Sequence, residues 1–137
     1  MLKALAALTL FLASVSAALA QTVGPATIAC NASAIVPAGT AGPATIIPAI
    51  VGKRIYICGW NFTSSVAANT VTLLTAGGVN CATAGTALTA PLNLDPGGPS
   101  IDHIPYAQMQ TAIGEKVCVT IAGTPANVVG LVWYTQF

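Results

Sequence analysis

The chain has 137 residues, of which 4 are Lys or Arg and 3 are Asp or Glu, for a formal net charge of +1. A charged fraction of 5%, against about 25% in an ordinary soluble domain, excludes a nucleic-acid binder built on a basic face, because neutralising phosphates takes several Lys or Arg side chains. The 55% of apolar residues argues against a disordered chain and supplies one core, while leaving few groups for acid–base chemistry.

The first element in chain order is a processing segment. Residues 1–20 carry Lys3 as a short positive region, an apolar run from Leu5 to Ala13 broken only by Thr9, and the small residues Ala18-Leu19-Ala20. That order is the order of a secretory signal peptide, cleaved before Gln21. The run is short for a membrane-spanning helix, which needs about 20 apolar residues. Beyond it, Lys53, Arg54 and Lys116 oppose Asp95, Asp102 and Glu115, so the exported part, residues 21–137, carries no net side-chain charge. No later apolar run is long and unbroken enough to hold the chain in a membrane as a helix.

The exported part is rich in Thr, Val, Ile and Ala, is punctuated by Gly and Pro, and has almost no Glu, Lys, Gln or Arg to cover a helix face. This is the composition of strands. A first strand is expected in Thr27–Val36, and a second in Ala44–Val51, held to an edge by Pro48. Lys53–Thr63 is the clearest strand. Apolar residues occupy both of its faces, which predicts a central place in its sheet. Thr70–Thr75 is expected to return as its hairpin partner. Thr86–Leu94 is a candidate strand interrupted by Pro91, and Asp95-Pro96-Gly97-Gly98-Pro99 is the strongest turn signal. Ser100–Tyr106 reads as an extended edge, and Ala107–Ile113 as the one stretch able to make a short helical turn. Lys116–Ile121 and Asn127–Phe137 complete the set. The whole predicts an all-β chain, a single antiparallel β-sandwich or jelly roll of about seven to eight strands after the cleaved signal peptide. The short strands, nine prolines and four cysteines argue against an outer-membrane barrel.

Cys30, Cys58, Cys81 and Cys118 all follow the cleavage site. An even number of cysteines in an exported domain reads as two disulfides, with three connectivities open. A zinc site is disfavoured, because no close Cys pair exists and His103 is the only histidine. A catalytic thiol would need that same His as its base and would leave an odd cysteine.

Several segments together carry a resemblance: KRIYICGW at 53–60, NCATAGTALTAPL at 80–92, GEKVCVTI at 114–121, GLVWYTQF at 130–137 and the early Cys30-Asn31. With them the chain resembles a group of small uncharacterised secreted or phage-associated bacterial proteins. The resemblance implies a compact β-sandwich associated with a cell surface or a virion. It transfers no functional residue, and residues 95–110 depart from the pattern.

Candidate chemistry is thin. Ser100, Asp102 and His103 are the residue types of a hydrolase triad, but neighbours on an extended segment point to opposite faces, and no G-x-S-x-G turn is present. Asp95, Asp102 and Glu115 are the only carboxylates for a glycosidase pair or a calcium site. Asp95 and Glu115 both sit at ordinary turn positions. Trp60, Tyr106, Trp133 and Tyr134 are the large amphipathic aromatics, able to stack on a sugar or to anchor an interface if exposed. No catalytic residue, cofactor or metal is therefore expected. The reading that follows is a non-enzymatic exported structural or adhesive module, self-associating on a cell surface or virion. The alternative is a small carbohydrate- or ligand-binding module using the aromatics. So few surface charges favour association.

Overall fold

A computed structural model describes residues 28–36, 42–65, 68–82, 85–103, 106–123 and 127–137. The signal-peptide reading of residues 1–20 lies outside them. The described residues form nine strands: β1 (Ala32–Val36), β2 (Ala44–Ile47), β3 (Ile55–Ser64), β4 (Asn69–Ala76), β5 (Leu92–Leu94), β6 (Pro99–His103), β7 (Met109–Gln110), β8 (Lys116–Ala122) and β9 (Val128–Gln136). A single 3₁₀ turn spans Val79–Cys81.

The strands make two antiparallel sheets packed as a sandwich. One runs β1-β9-β3-β6, with β7 also on β3, and the other runs β2-β8-β4-β5. The count is nine rather than seven or eight because one edge is interrupted. β6 pairs with Gly59–Thr63 of β3, and the separate two-residue β7 pairs with the same edge at Tyr56 and Ile57.

β3 lies between β9 and the β6/β7 edge, as its two apolar faces require. β2 lies at an edge and stops before Pro48, which cannot donate to a ladder. Three expectations are corrected. β4 is not the hairpin partner of β3. It pairs with β8 and β5 in the opposite sheet. Val71 and Leu73 of β4 thus face the core from the second sheet, across from β3. Ala107–Ile113 makes no helical turn, since Met109 and Gln110 form β7. The open edge of β3 takes up a short stretch with no helical period of its own. The candidate strand Thr86–Leu94 contracts to β5, after Pro91.

The core lies between the sheets. Ile55, Ile57 and Phe62 of β3, with Val36 and Val132, meet Ile47, Val71, Leu73, Val117 and Val119, all fully or almost fully buried. The expected turn forms at residues 95–98, where the Gly98 N–H donates to the Asp95 carbonyl (3.0 Å) and Gly97 takes φ 74°. That left-handed conformation is open to glycine at little cost.

Two buried hydroxyls close gaps that backbone pairing leaves. The Ile55 N–H donates to Thr111 Oγ1 (3.1 Å) and the Leu73 N–H to Thr89 Oγ1 (3.0 Å). Thr111 is 1% exposed. Thr111→Val keeps the volume but orphans the Ile55 N–H, so it is expected to cost about 1–3 kcal/mol. The check is a lower denaturant midpoint at unchanged slope, and an unchanged midpoint would refute it.

Candidate functional site

The four cysteines form two disulfides, Cys30–Cys58 and Cys81–Cys118, separated by 28 and 37 residues, and no cysteine is free. Sequence spacing left three pairings open, and the fold selects one. Cys58 sits where β3 bulges against β9, between Ile57 and Gly59, and reaches the segment leading into β1. Cys81 ends the 3₁₀ turn at φ 61° and is tied to the buried Cys118 in the middle of β8. Thr45 Oγ1 donates to Cys81 Sγ at 3.1 Å. Two disulfides with no free thiol are the covalent chemistry of an oxidising, extracytoplasmic compartment. No helix among the described residues is long and apolar enough to cross a membrane.

The polar candidates are dispersed. Ser100 and Asp102 lie opposite Phe62 and Trp60 in the β6–β3 register, and His103 holds the position opposite Gly59. The Asp102 carboxylate accepts from Gln108 Nε2 at 3.4 Å, and the same amide donates to the Cys58 carbonyl at 3.0 Å. Asp95 belongs to the turn before β6. Glu115 Oε2 accepts the Ala112 N–H (3.1 Å) and closes the turn before β8. Asp102 and Glu115 thus hold local structure. Among the described residues no three His, Cys, Asp or Glu side chains are grouped to hold a metal ion.

The aromatics divide. Trp60 is 8% exposed and stacks on Phe62 in the core, with ring centroids 6.5 Å apart. Tyr134 packs against the same core. Trp133, opposite Ser33 and Gly59, is half-buried, and Tyr106 is 49% exposed beside Ala29. The four therefore share no single face.

What the structure does assemble is the outer face of the β1-β9-β3-β6 sheet. Register places Ile35, Leu131, Asn61 and Ile101 in one row across the four strands. Val129 and Thr63 adjoin it. Ile35 is 73% exposed, Ile101 60% and Val129 46%. An open groove of about 430 Å³ runs over this face between Ile35, Asn61, Thr63, Val129 and Leu131, with Val36 and Gly130 completing its lining.

None of these residues is charged. The charged residues lie elsewhere, except Asp102, which follows Ile101 in β6 and pairs opposite Trp60. Lys53, Arg54, Glu115 and Lys116 gather at one end of the sandwich, where the Gly114 N–H donates to the Lys53 carbonyl and Lys116 Nζ to the Gly78 carbonyl. Asp95 lies in the turn toward the other end, next to the Pro96–Ser64 bridge. The sequence reading passed over this face. Its signal was present in the apolar residues at every position of Val128–Val132 except Gly130, which leave an apolar outer row whichever face is buried. No protein-family model, curated protein or solved structure matches the chain.

Proposed function

We propose that the protein is a non-enzymatic, exported structural or adhesive module that self-associates on a cell surface or virion. The observation that carries this reading is the uncharged, apolar outer sheet face on a sandwich locked by two disulfides. Exposed apolar surface rimmed by polar residues is the usual mark of an interaction site. The strand order adds support. With β6 and β7 taken as one interrupted strand, each sheet has four strands and the first strand lies beside the last. That is the arrangement of a jelly roll, a fold used in capsid and lectin domains. The fold alone assigns no role, so the reading stands on the face.

The test is the native mass of protein exported from cells carrying the full gene, measured over a range of concentrations with and without reductant. Association of chains that begin at Gln21 and carry two disulfides supports the proposal. A monomer at every concentration that also binds no cell or particle surface would refute it.

The second reading, a small carbohydrate- or ligand-binding module, draws on Tyr106 and Trp133, the two candidate aromatics outside the core. It predicts that a bound glycan changes the tryptophan fluorescence, and that Tyr106→Ala weakens the binding.

A further inference from the structure

We infer that the self-association proposed above runs through β1, which pairs edge to edge with β1 of a second copy about a two-fold axis at Ala34. A sheet edge presents unpaired backbone donors and acceptors, and proteins blunt such edges with prolines, charges, bulges or very short strands. Three of the four edges here are blunted in these ways. β2 is bracketed by Pro43 and Pro48 and breaks register between Thr45 and Ile47. β5 has three residues, between Pro91 and Pro96. β6 opens with Pro99 and carries Asp102, and β7 has two residues. β1 has fewer of these devices: Pro37 follows its last residue, but no proline directly precedes it. Its five residues, Ala-Ser-Ala-Ile-Val, contain no charge and no proline and keep unbroken register with β9, its one strand partner among the described residues.

A second copy suits this edge better than an unrelated partner because the strand is complementary to itself. Antiparallel pairing centred on Ala34 sets the two small Ala34 residues opposite each other and each Ile35 opposite Ser33. The two Ile35 side chains then lie diagonally on the outer face, about 7–8 Å apart and within mutual reach. In an isologous contact the residues near the axis lie beside their own copies, so a charge there would meet a like charge. The patch has none. The pairing would join the two four-stranded sheets and carry the apolar outer face across the axis. Five paired residues make a small contact, so the dimer forms weakly and depends on concentration.

The test compares the wild type with Ile35→Lys and Ile101→Lys by sedimentation equilibrium from about 1 µM to about 1 mM, the range of weak contacts. Both positions are exposed on the same face. They lie about 14 Å apart, three strand spacings. Both variants are expected to fold, which their disulfide-bonded mass and thermal midpoint will show. Edge pairing predicts that Ile35→Lys weakens dimerisation at least tenfold while Ile101→Lys changes it by less than threefold. It also predicts that β1 amides gain hydrogen-exchange protection as concentration rises. A dimer that survives Ile35→Lys, or that Ile101→Lys weakens as much, overturns pairing through β1 while leaving self-association standing. A wild type monomeric throughout the range overturns both.

Discussion

Reduction of both disulfides is expected to unfold the domain at or near room temperature. The two bridges span 28 and 37 residues and close loops that do not overlap, Cys30–Cys58 ending before Cys81 begins. Closing loops of this length removes unfolded-state entropy worth about 3.5–4 kcal/mol each at 25 °C. Because the loops are independent, their effects add to about 7 kcal/mol, within the entire 5–15 kcal/mol by which small domains are stable. The bridges contribute unequally beyond that. Cys81 and Cys118 are themselves buried and pack with Ala76 and Leu74 in a small cluster beside the main core. Cys58 is also fully buried, but it joins neither cluster and its partner Cys30 is only half-buried. The double variant Cys81→Ala/Cys118→Ala therefore loses packing as well as the cross-link and is expected to melt below Cys30→Ala/Cys58→Ala. Each should lie about 15 °C or more below the wild type. Far-UV circular dichroism through a thermal ramp checks both, with and without reductant. A reduced chain that keeps the oxidised midpoint would mean the core alone holds the sandwich.

The presence of disulfides was legible in the sequence, and their pairing was not, for a reason that extends to the rest of the fold. Composition and the run Ile55–Phe62, apolar but for Asn61, announce a central strand, because a residue's own side chain decides whether it belongs in a core. Partnership is decided elsewhere. β3 and β4 are neighbours in sequence, and neighbours often pair, yet both are needed on opposite walls of the same core. The result is a crossing in place of a hairpin. The same holds for β7, whose two residues are strand only because β3 offers them an edge. Cys58 finds Cys30 because the bulge at Ile57/Gly59 and the β1–β9–β3 order bring the two segments together, and neither is written in spacing. The candidate site followed suit. The aromatics were visible as residue types, but the division of Trp60 and Tyr134 from Trp133 and Tyr106 depends on register. The outer row of Ile35, Leu131, Asn61 and Ile101 draws one residue from each of four strands spread over the chain. Nothing local marks it except apolar residues where a sheet exposed to water would carry polar ones.

Gly130→Ala is expected to be strongly destabilising to the sheet that carries the proposed interface. Gly130 lies in β9, opposite Val36 of β1 on one side and Phe62 of β3 on the other. A methyl group at that position would lie 2.1 Å from the Asn61 carbonyl oxygen and 2.6 Å from Phe62 Cδ1. The ring could turn only by disturbing the main core, where Phe62 is fully buried. The carbonyl belongs to the backbone of a central strand and cannot turn away, so β9 must move off β3 along the longest ladder among the described residues. The cost is steric, since a methyl could not be seated whatever the backbone torsions. Overpacking of a close-packed interior costs about 1–3 kcal/mol and sometimes more. With a rigid obstacle on a nine-residue strand paired on both sides, we expect about 3 kcal/mol or more. Gly77→Ala provides the control. Nothing lies within 4 Å of its added methyl, and it should change stability by less than about 0.5 kcal/mol. Denaturant titration of the two oxidised variants gives the comparison directly. If Gly130→Ala matches Gly77→Ala, then β9 and β3 do not approach as closely as the ladder requires, and the continuous outer face built on that ladder loses its footing. If it falls by the expected amount, Gly130 is the residue whose missing side chain lets β9 close against β3 and sets the floor of the groove.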